Sequence, residues 1–386
     1  MHIGLITQTD NDTALDLATS LASTGQSITL YFKQDAFVRS NISPNNYLTE
    51  VYKRGIVPSS CRIKLYQFPR QRDLRSIKTV MEIGRQMHQD GVDLVHILAG
   101  PAEPWLAVLA SLLHHIPVVT TLIVPVANVG EPFSKWVNPI NRLLIHSSDI
   151  VIVNGFNQLD LVQQQYKISP GRLIHIPLGA RTSSARWLSG NVKEAPGTVL
   201  FFGRADRHKG LKYLILAQPQ ITKKFPEAHF LIAGRGEELA RCRSMIEDKE
   251  KFEIYEGYIP GDMMANLFAR ASLVVLPYIS ASTSGVLLTA YEFRKPVVAT
   301  KIGSLPEYVH DGVTGLLVPP TSVESLAEAI SHLLSDDTLR HQMGENAKHW
   351  MENENIKVTY KTLSAYEKAI SLRHTHGTRR NSNGSQ

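Results

Sequence analysis

Short apolar runs alternate with amphipathic stretches almost from one end of this chain to the other, and that alternation narrows the folds open to it. HIGLIT, SITLYF, IKLYQF, DLVHIL, PVVTTLIV, DIVIVN and RLIHIP have the length and composition of strands, with helical patterns such as TALDLATSLAST and SIKTVMEIGRQMH between most of them. Strands that are apolar along their whole length are buried on both faces, as in a mostly parallel sheet sandwiched by helices. The pattern breaks at RTSSARWLSGNVKEAPG, residues 181–197, which is polar, weakly periodic and reads as a linker. It restarts with TVLFFG, HFLIAG, KFEIYEG, SLVVLPY, PVVAT and GLLVP, and helices are expected near 209–224, 236–246, 261–271, 285–294 and 322–334. The expected organisation is a domain over 1–180, a linker over 181–197 and a second domain over 198–350. A C-terminal helix over 351–372, able to return to the first domain, and a disordered polar tail over 373–386 complete it. Two parallel α/β domains make a bilobal protein with a central cleft, its ligands bound outside the carboxyl ends of the strands.

Composition removes competing classes. The chain has 386 residues, 43% hydrophobic and 20% charged, which excludes a disordered chain and leaves room for two buried cores. Cys61 and Cys242 supply neither a disulfide framework nor a zinc set, and a reducing, cytoplasmic compartment fits them. The N-terminus MHIGLITQTD lacks the basic region of a signal peptide. The most apolar stretch, Trp105 to Val129, contains His114, His115, Pro117 and Pro125, so a helix followed by a buried strand explains it better than a membrane span. The formal net charge is +6, and Lys53, Arg54, Arg62, Lys64, Arg70, Arg72, Arg75, Lys78 and Arg85 crowd one segment against Asp73 and Glu82. Such a run is either a solvated face or a peripheral surface for anionic lipid headgroups or a charged acceptor. No nucleic-acid-binding motif accompanies it.

Two strand-to-helix transitions carry the chemistry. In TVLFFGRADRHKGLKYLILA a buried strand ends at Gly203 and a helix opens near Lys209. A glycine that lets backbone approach a ligand, the cations Arg204 and Lys209 and a helix N-terminus together suit a pyrophosphate. In SASTSGVLLTAYEFRKPVVAT the amides of Ser284, Gly285 and Val286 stand at a second helix start, open to phosphate oxygens or closed by a plain Ser/Thr N-cap. Three other features are weaker. Asp10-Asn11-Asp12 spells a metal-binding D-x-D but is also explained as a helix N-cap. Gly234-Arg235-Gly236 has Leu239 where a dinucleotide fingerprint needs its third glycine. His208 beside the phosphate loop is most simply an exposed side chain.

GRADRHKG, followed about 80 residues later by SGVLLTAYEFRKPVVATKIGSLPEYVHDGVTGLLVPP, resembles the family 4 retaining glycosyltransferases of GT-B fold. HFLIAGRGE, FEIYEGYIPGDMMANLFARASLVVLP and RLIHIPLGA support it, whereas before residue 90 only the alternation of strands and helices agrees. The resemblance implies two Rossmann-like doubly wound domains facing a cleft. It implies transfer of a sugar, with retention, from a UDP- or GDP-linked donor to a glycan, lipid or small-molecule acceptor, in cell-surface polysaccharide or glycoconjugate synthesis. Carried over by position, it assigns Arg204 and Lys209 to the donor pyrophosphate as catalytic groups. Tyr258 and Ile259 fall to the nucleobase and Ser284, Gly285 and Val286 to the distal phosphate, with no metal or other cofactor. The family's two glutamates, eight residues apart, align to Ala281 and Thr289, its first-lobe histidine to Ile123, and its glycine pair after the first strand to TQTDND. Thr289 is left to hold a ribose hydroxyl, and Glu292 either substitutes for a lost carboxylate or pairs with Arg294 or Lys295. These departures keep open a catalytically degenerate nucleotide-sugar binder acting as a partner or regulator. A sugar-nucleotide epimerase of the same fold is the other alternative.

Overall fold

The computed structural model describes residues 1–9, 11–34, 44–68, 73–126, 134–281 and 283–382. The chain divides into two compact units, Met1–Gly179 with Asn355–Gln386, and Ala180–Glu354. Residues 181–197, expected as a linker, are part of the second unit. Trp187 is buried and packs on Gly261 closely enough that a Cβ there would stand 2.8 Å from the indole. The Glu194 carboxylate accepts from Lys295 at 2.7 Å and from buried Arg340 at 2.9 Å. Polar composition hid these anchors, because neither a single indole nor a single carboxylate leaves a periodic signal.

In the first unit seven parallel strands are β1 (His2–Thr7), β2 (Ser27–Lys33), β3 (Arg62–Tyr66), β4 (Leu94–Ala99), β5 (Val118–Leu122), β6 (Ile150–Val153) and β7 (Leu173–His175). Their order is β3-β2-β1-β4-β5-β6-β7, so the direction of winding reverses between β1 and β4. β4 is buried along its whole length, His96 included, as expected of a central strand covered on both faces. The helices Ser76–Gln89, Pro104–Leu112 and Ser134–Ser147 pack side by side over a core that includes Val80, Ile83, Leu106, Leu109, Leu144 and Ile145. The apolar stretch from Trp105 resolves into the second of these helices followed by β5. No helix among the described residues is long and apolar enough to cross a membrane.

The second unit repeats the plan with β8 (Thr198–Arg204), β9 (His229–Arg235), β10 (Phe252–Glu256), β11 (Leu273–Leu276), β12 (Val297–Thr300) and β13 (Gly315–Val318), in the order β10-β9-β8-β11-β12-β13. Here the reversal falls between β8 and β11. Helices Leu211–Lys224 and Val323–Ser335 pack on each other above Phe201, Phe230 and Val275.

The last helix, Asp337–Ser382, belongs to the second unit through Glu354 and to the first from Asn355. In the second unit Trp350 stands edge-on to Tyr291 and Tyr308. In the first, Arg373 binds Asp149 at 2.6 Å and the Tyr366 hydroxyl lies 2.7 Å from His96 Nδ1. The helix runs on to Ser382, through residues whose polar composition predicted disorder. No proline interrupts it, and a lone interior glycine such as Gly377 costs only about 1 kcal/mol.

His96 is the buried polar group of this docking, with Thr121 Oγ1 2.8 Å from its Nε2. Burial pushes its imidazole down to about 3, so the ring is neutral in the folded chain. An unfolded histidine, near 6.5, binds a proton that the folded one refuses, so stability falls as pH drops from about 6.5 toward 3. The loss is up to about 1.4 kcal/mol per pH unit. Urea unfolding of wild type and His96→Gln at pH 7 and pH 5 should show the gap between them narrowing at the lower pH.

Candidate active site

The carboxyl ends of β8 and β11 lie beside each other at the reversal of the second sheet, where parallel α/β folds leave a crevice. Both chemistry-bearing motifs emerge there. After β8 the chain makes a 3-10 turn at Arg207–Lys209, passes through Gly210 at φ +68°, and begins its helix at Leu211, two residues later than the sequence pattern suggests. The delay has a steric cause. A Cβ on Gly210 would overlap the Pro277 carbonyl that follows β11, so only glycine fits there, and the left-handed φ that this glycine adopts cannot belong to a helix.

That close approach brings Lys209 across to the second motif. Its Nζ stands 3.8 Å from the centroid of the buried Tyr278 ring, and the Tyr278 hydroxyl lies 3.1 Å from Ser284 Oγ. The loops are tied directly by Ile279 N–H donating to the His208 carbonyl at 2.8 Å. A Cβ at Gly203 would meet Val286 Cγ2 at 3.5 Å, ordinary contact distance, so the end of β8 also touches the first turn of helix Gly285–Glu292. Arg204 lies at the rim with a half-exposed side chain, its Nε 3.3 Å from Asp206 Oδ2. That contact is electrostatic rather than a hydrogen bond, because the same carboxylate oxygen has no hydrogen-bond partner among the described residues.

Ser284 caps the Gly285–Glu292 helix, its Oγ accepting from Leu287 N–H at 3.4 Å. The cap consumes one first-turn amide and leaves those of Gly285 and Val286 without an acceptor inside their own helix. Beside them lies a cation that the sequence pattern did not single out. A Cβ on Gly285 would stand 2.7 Å from Arg181 Nη2, so the guanidinium occupies the space that a larger residue would take. No local signal links Arg181 to a glycine so far downstream. Only the fold pairs them.

The remaining candidates are placed as follows. Thr289 donates its hydroxyl to the Gly285 carbonyl at 3.0 Å and is nearly buried. Glu292 is also nearly buried and accepts from Lys348 Nζ at 2.6 Å, rather than from Arg294 or Lys295, which bind Glu345 and Glu194. Burial raises its carboxyl above the ordinary range even with that ammonium beside it. Tyr258 is half-exposed and Ile259 partly buried, in the loop between β10 and helix Gly261–Arg270. Ala281 lies at the same end of the sheet, its carbonyl against Gly303. In the first unit Ile123 follows β5 and donates its N–H to Ala99. Asp10 lies outside the described residues, and Asp12 falls in the first turn of helix Asn11–Ala22. Among the described residues no three His, Cys, Asp or Glu side chains gather as a metal site.

A cavity of about 510 Å³ lies elsewhere, in the first unit, lined by His114, Asp149 and Arg172 at the amino ends of β5, β6 and β7. Its two guanidinium groups are already engaged, Arg373 by Asp149 and the His114 carbonyl, Arg172 by the carbonyls of Ile145, Ser148 and Asp149. It is not the place for this chemistry.

Comparison with known proteins agrees with the division of the chain. Residues 12–184 match the model described as Glycosyltransferase Family 4, and residues 189–350 match Glycosyl transferases group 1. The chain is 32% identical over 155 residues to alpha-D-kanosaminyltransferase of Streptomyces kanamyceticus, a match covering 39% of each protein. The chain thus spans about two fifths of the length of the first curated relatives that it matches. Its fold is that of sucrose-phosphate synthase from Thermosynechococcus elongatus, with TM-score 0.70 and 20% identity over 96% of this chain and 99% of the other. It is also that of Anabaena Alr3699/HepE, solved in complex with UDP, with TM-score 0.67 and 16% identity over 95% and 100%. These are GT-B structures, as the two parallel sheets are here.

The Glu292–Lys348 pair yields a test of whether Glu292 is structural. Lys348→Met would leave a carboxylate nearly buried and uncompensated, so thermal unfolding should show a loss of about 3–5 kcal/mol. The double variant Glu292→Leu/Lys348→Met should recover most of it.

Proposed function

We propose that this chain, whose successive parts match the Glycosyltransferase Family 4 and Glycosyl transferases group 1 models, is a GT-B glycosyltransferase of the family 4 type, whose second unit holds a nucleotide-diphosphate sugar and whose first unit holds an acceptor. In this reading the sugar passes from donor to acceptor with retention at the anomeric carbon and without a divalent metal. The observation that carries this reading is the meeting of Lys209, Tyr278, Ser284 and Val286 at one switch point, with Arg204 and Arg181 at its edges. Three cations and the amides of a helix N-terminus supply positive charge where a diphosphate must depart. When the bond between C1 of the sugar and the diphosphate oxygen breaks, that oxygen keeps the electron pair, and Arg204 and Lys209 stabilise the charge that grows there. Tyr258 offers a flat, half-exposed ring for a nucleobase and Thr289 a hydroxyl for the ribose. The donor is a UDP- or GDP-linked sugar and the acceptor a glycan, lipid or small-molecule hydroxyl, which places the protein in polysaccharide or glycoconjugate synthesis.

Arg204→Ala and Lys209→Ala separate an enzyme from a binder. Each should weaken nucleotide-sugar binding by about 1.5–3 kcal/mol, as for other hydrogen bonds to a charged group. In an enzyme the contacts tighten as charge develops, so kcat at saturating donor should also fall about 10²–10³-fold. Thr289→Val should chiefly raise KM, because a ribose contact changes little along the reaction. An unchanged kcat in both cation variants overturns the mechanism. Binding without turnover, across a broad panel of donors and acceptors, would favour the degenerate binder suggested by Ala281, Thr289 and Ile123. Epimerisation of the released sugar would favour the epimerase.

Turnover should persist in EDTA. Complete loss, restored by Mn²⁺ or Mg²⁺, would overturn the metal-independent part of the reading and return attention to Asp10 and Asp12.

A further inference from the structure

We propose that the outer face of the three neighbouring helices Ser76–Gln89, Pro104–Leu112 and Ser134–Ser147 docks on the surface of an anionic phospholipid bilayer. In the first helix Val80, Ile83 and Met87 point into the core, while Ile77 and Met81, preceded by Leu74, point out. In the third, Val137, Leu144 and Ile145 are inside while Trp136 and Leu143 are outside. Between them Leu112 is exposed at the end of the second helix. Leu74 is 76% exposed and Trp136 58%. Single exposed apolar side chains need no explanation, but five large ones on three adjacent helices, with Leu74 just before the first, do.

Cations are interleaved with them. Lys78 and Arg85 lie on the outer stripe of the first helix and Lys135 and Arg142 on that of the third. None of the four makes an ion pair with another described residue. The acids beside them are Glu82 and Asp73, and Asp73 is held by Arg75. This differs from the basic run expected from sequence. Lys53 and Arg54 pair with Glu50 and Lys64 with Asp90, while Arg70 and Arg72 lie outside the described residues. The surface that remains joins the end of that run to a helix about 60 residues further on, which the fold brings alongside.

The chemistry selects the occupant. Helices that lie in a bilayer interface present Trp, Leu and Met at the acyl boundary and Lys and Arg to the headgroups, the mixture found here. The core of a protein–protein interface is depleted in lysine and closed to unpaired charge. A second copy meeting this face by two-fold symmetry would set four cations against four. The inference stands apart from the donor-site reading, since it uses only the first unit.

The test uses the whole chain and vesicles of phosphatidylcholine with or without phosphatidylglycerol. Co-sedimentation is expected with the anionic vesicles at low salt and loss at high salt. Each cation should contribute about fivefold to partitioning, so Lys78→Ala/Arg142→Ala should lower it about 30-fold. Trp105 and Trp187 are buried and Trp350 packs on Tyr291, so quenching of indole emission by brominated anionic lipid should report Trp136 and vanish in Trp136→Phe. Thermal midpoints of the variants should match wild type, which separates lost docking from lost folding. Three results would overturn the proposal: no binding to anionic vesicles at low salt, equal binding to neutral ones, or a soluble dimer that Lys78→Ala/Arg142→Ala dissociates.

Discussion

Parallel pairing of β8 with β11 is the constraint on which the second unit's site depends. It places the carboxyl ends of two strands about 70 residues apart in sequence side by side, so that the loops leaving them must share one crevice. Everything at that crevice follows from how closely they pass. The Pro277 carbonyl excludes a side chain at residue 210, the glycine there adopts a left-handed φ that a helix cannot contain, and Lys209 stays in a turn from which its ammonium reaches over Tyr278. Tyr278 then passes the constraint on, through its hydroxyl, to the Ser284 that caps the next helix. A preorganised set of cations and amides results from packing that would be needed in any case to close the sheet.

Asp206 stays beside Arg204, but two other acids of the second unit are held in structural ion pairs. Glu194 is held by Lys295 and Arg340, which keeps its carboxyl below the ordinary range despite burial. Glu292 is held by Lys348, and there burial outweighs the ion pair and the carboxyl is raised. Both pairs tie the last helix, or the segment before β8, to the body of the unit. Removing Glu194 leaves Lys295, and removing Lys348 leaves Glu292, buried without its ion-pair partner, which accounts for their use as anchors rather than as ligand contacts.

The strands and most helices were legible because parallel sheets buried on both faces write their burial into unbroken apolar runs, and all thirteen runs read as strands are strands. What the periodicity missed has a common cause. Trp187, Glu194, Arg181 and the pairing of Glu292 with Lys348 are single side chains whose partners are distant in sequence, and a single contact has no period. The placement of Lys209 before rather than within its helix involves a carbonyl some 68 residues away, and part of the basic run, Lys53, Arg54 and Lys64, is taken up by ion pairs with Glu50 and Asp90. The motifs named the right loops. The contacts between them came from topology.

Under the proposed function, charge balance at the crevice shapes what the site can grip. If Ala281 and Thr289 stand where the resembled family has two glutamates, then with Arg181 seated on Gly285 the described residues around the Gly285–Glu292 helix start offer cations, hydroxyls and amides. Thr289 donates its proton to the Gly285 carbonyl, so toward a ligand it can act only through its oxygen lone pairs. A neutral acceptor grips a sugar or ribose hydroxyl with roughly half the strength of a carboxylate. Under the proposed function, then, affinity for the donor rests on its diphosphate more than on its hydroxyls. Such a site discriminates strongly between charged and neutral ligands and only weakly between sugars that differ in hydroxyl configuration. In that reading sugar selectivity comes from shape, or from the unit proposed to hold the acceptor.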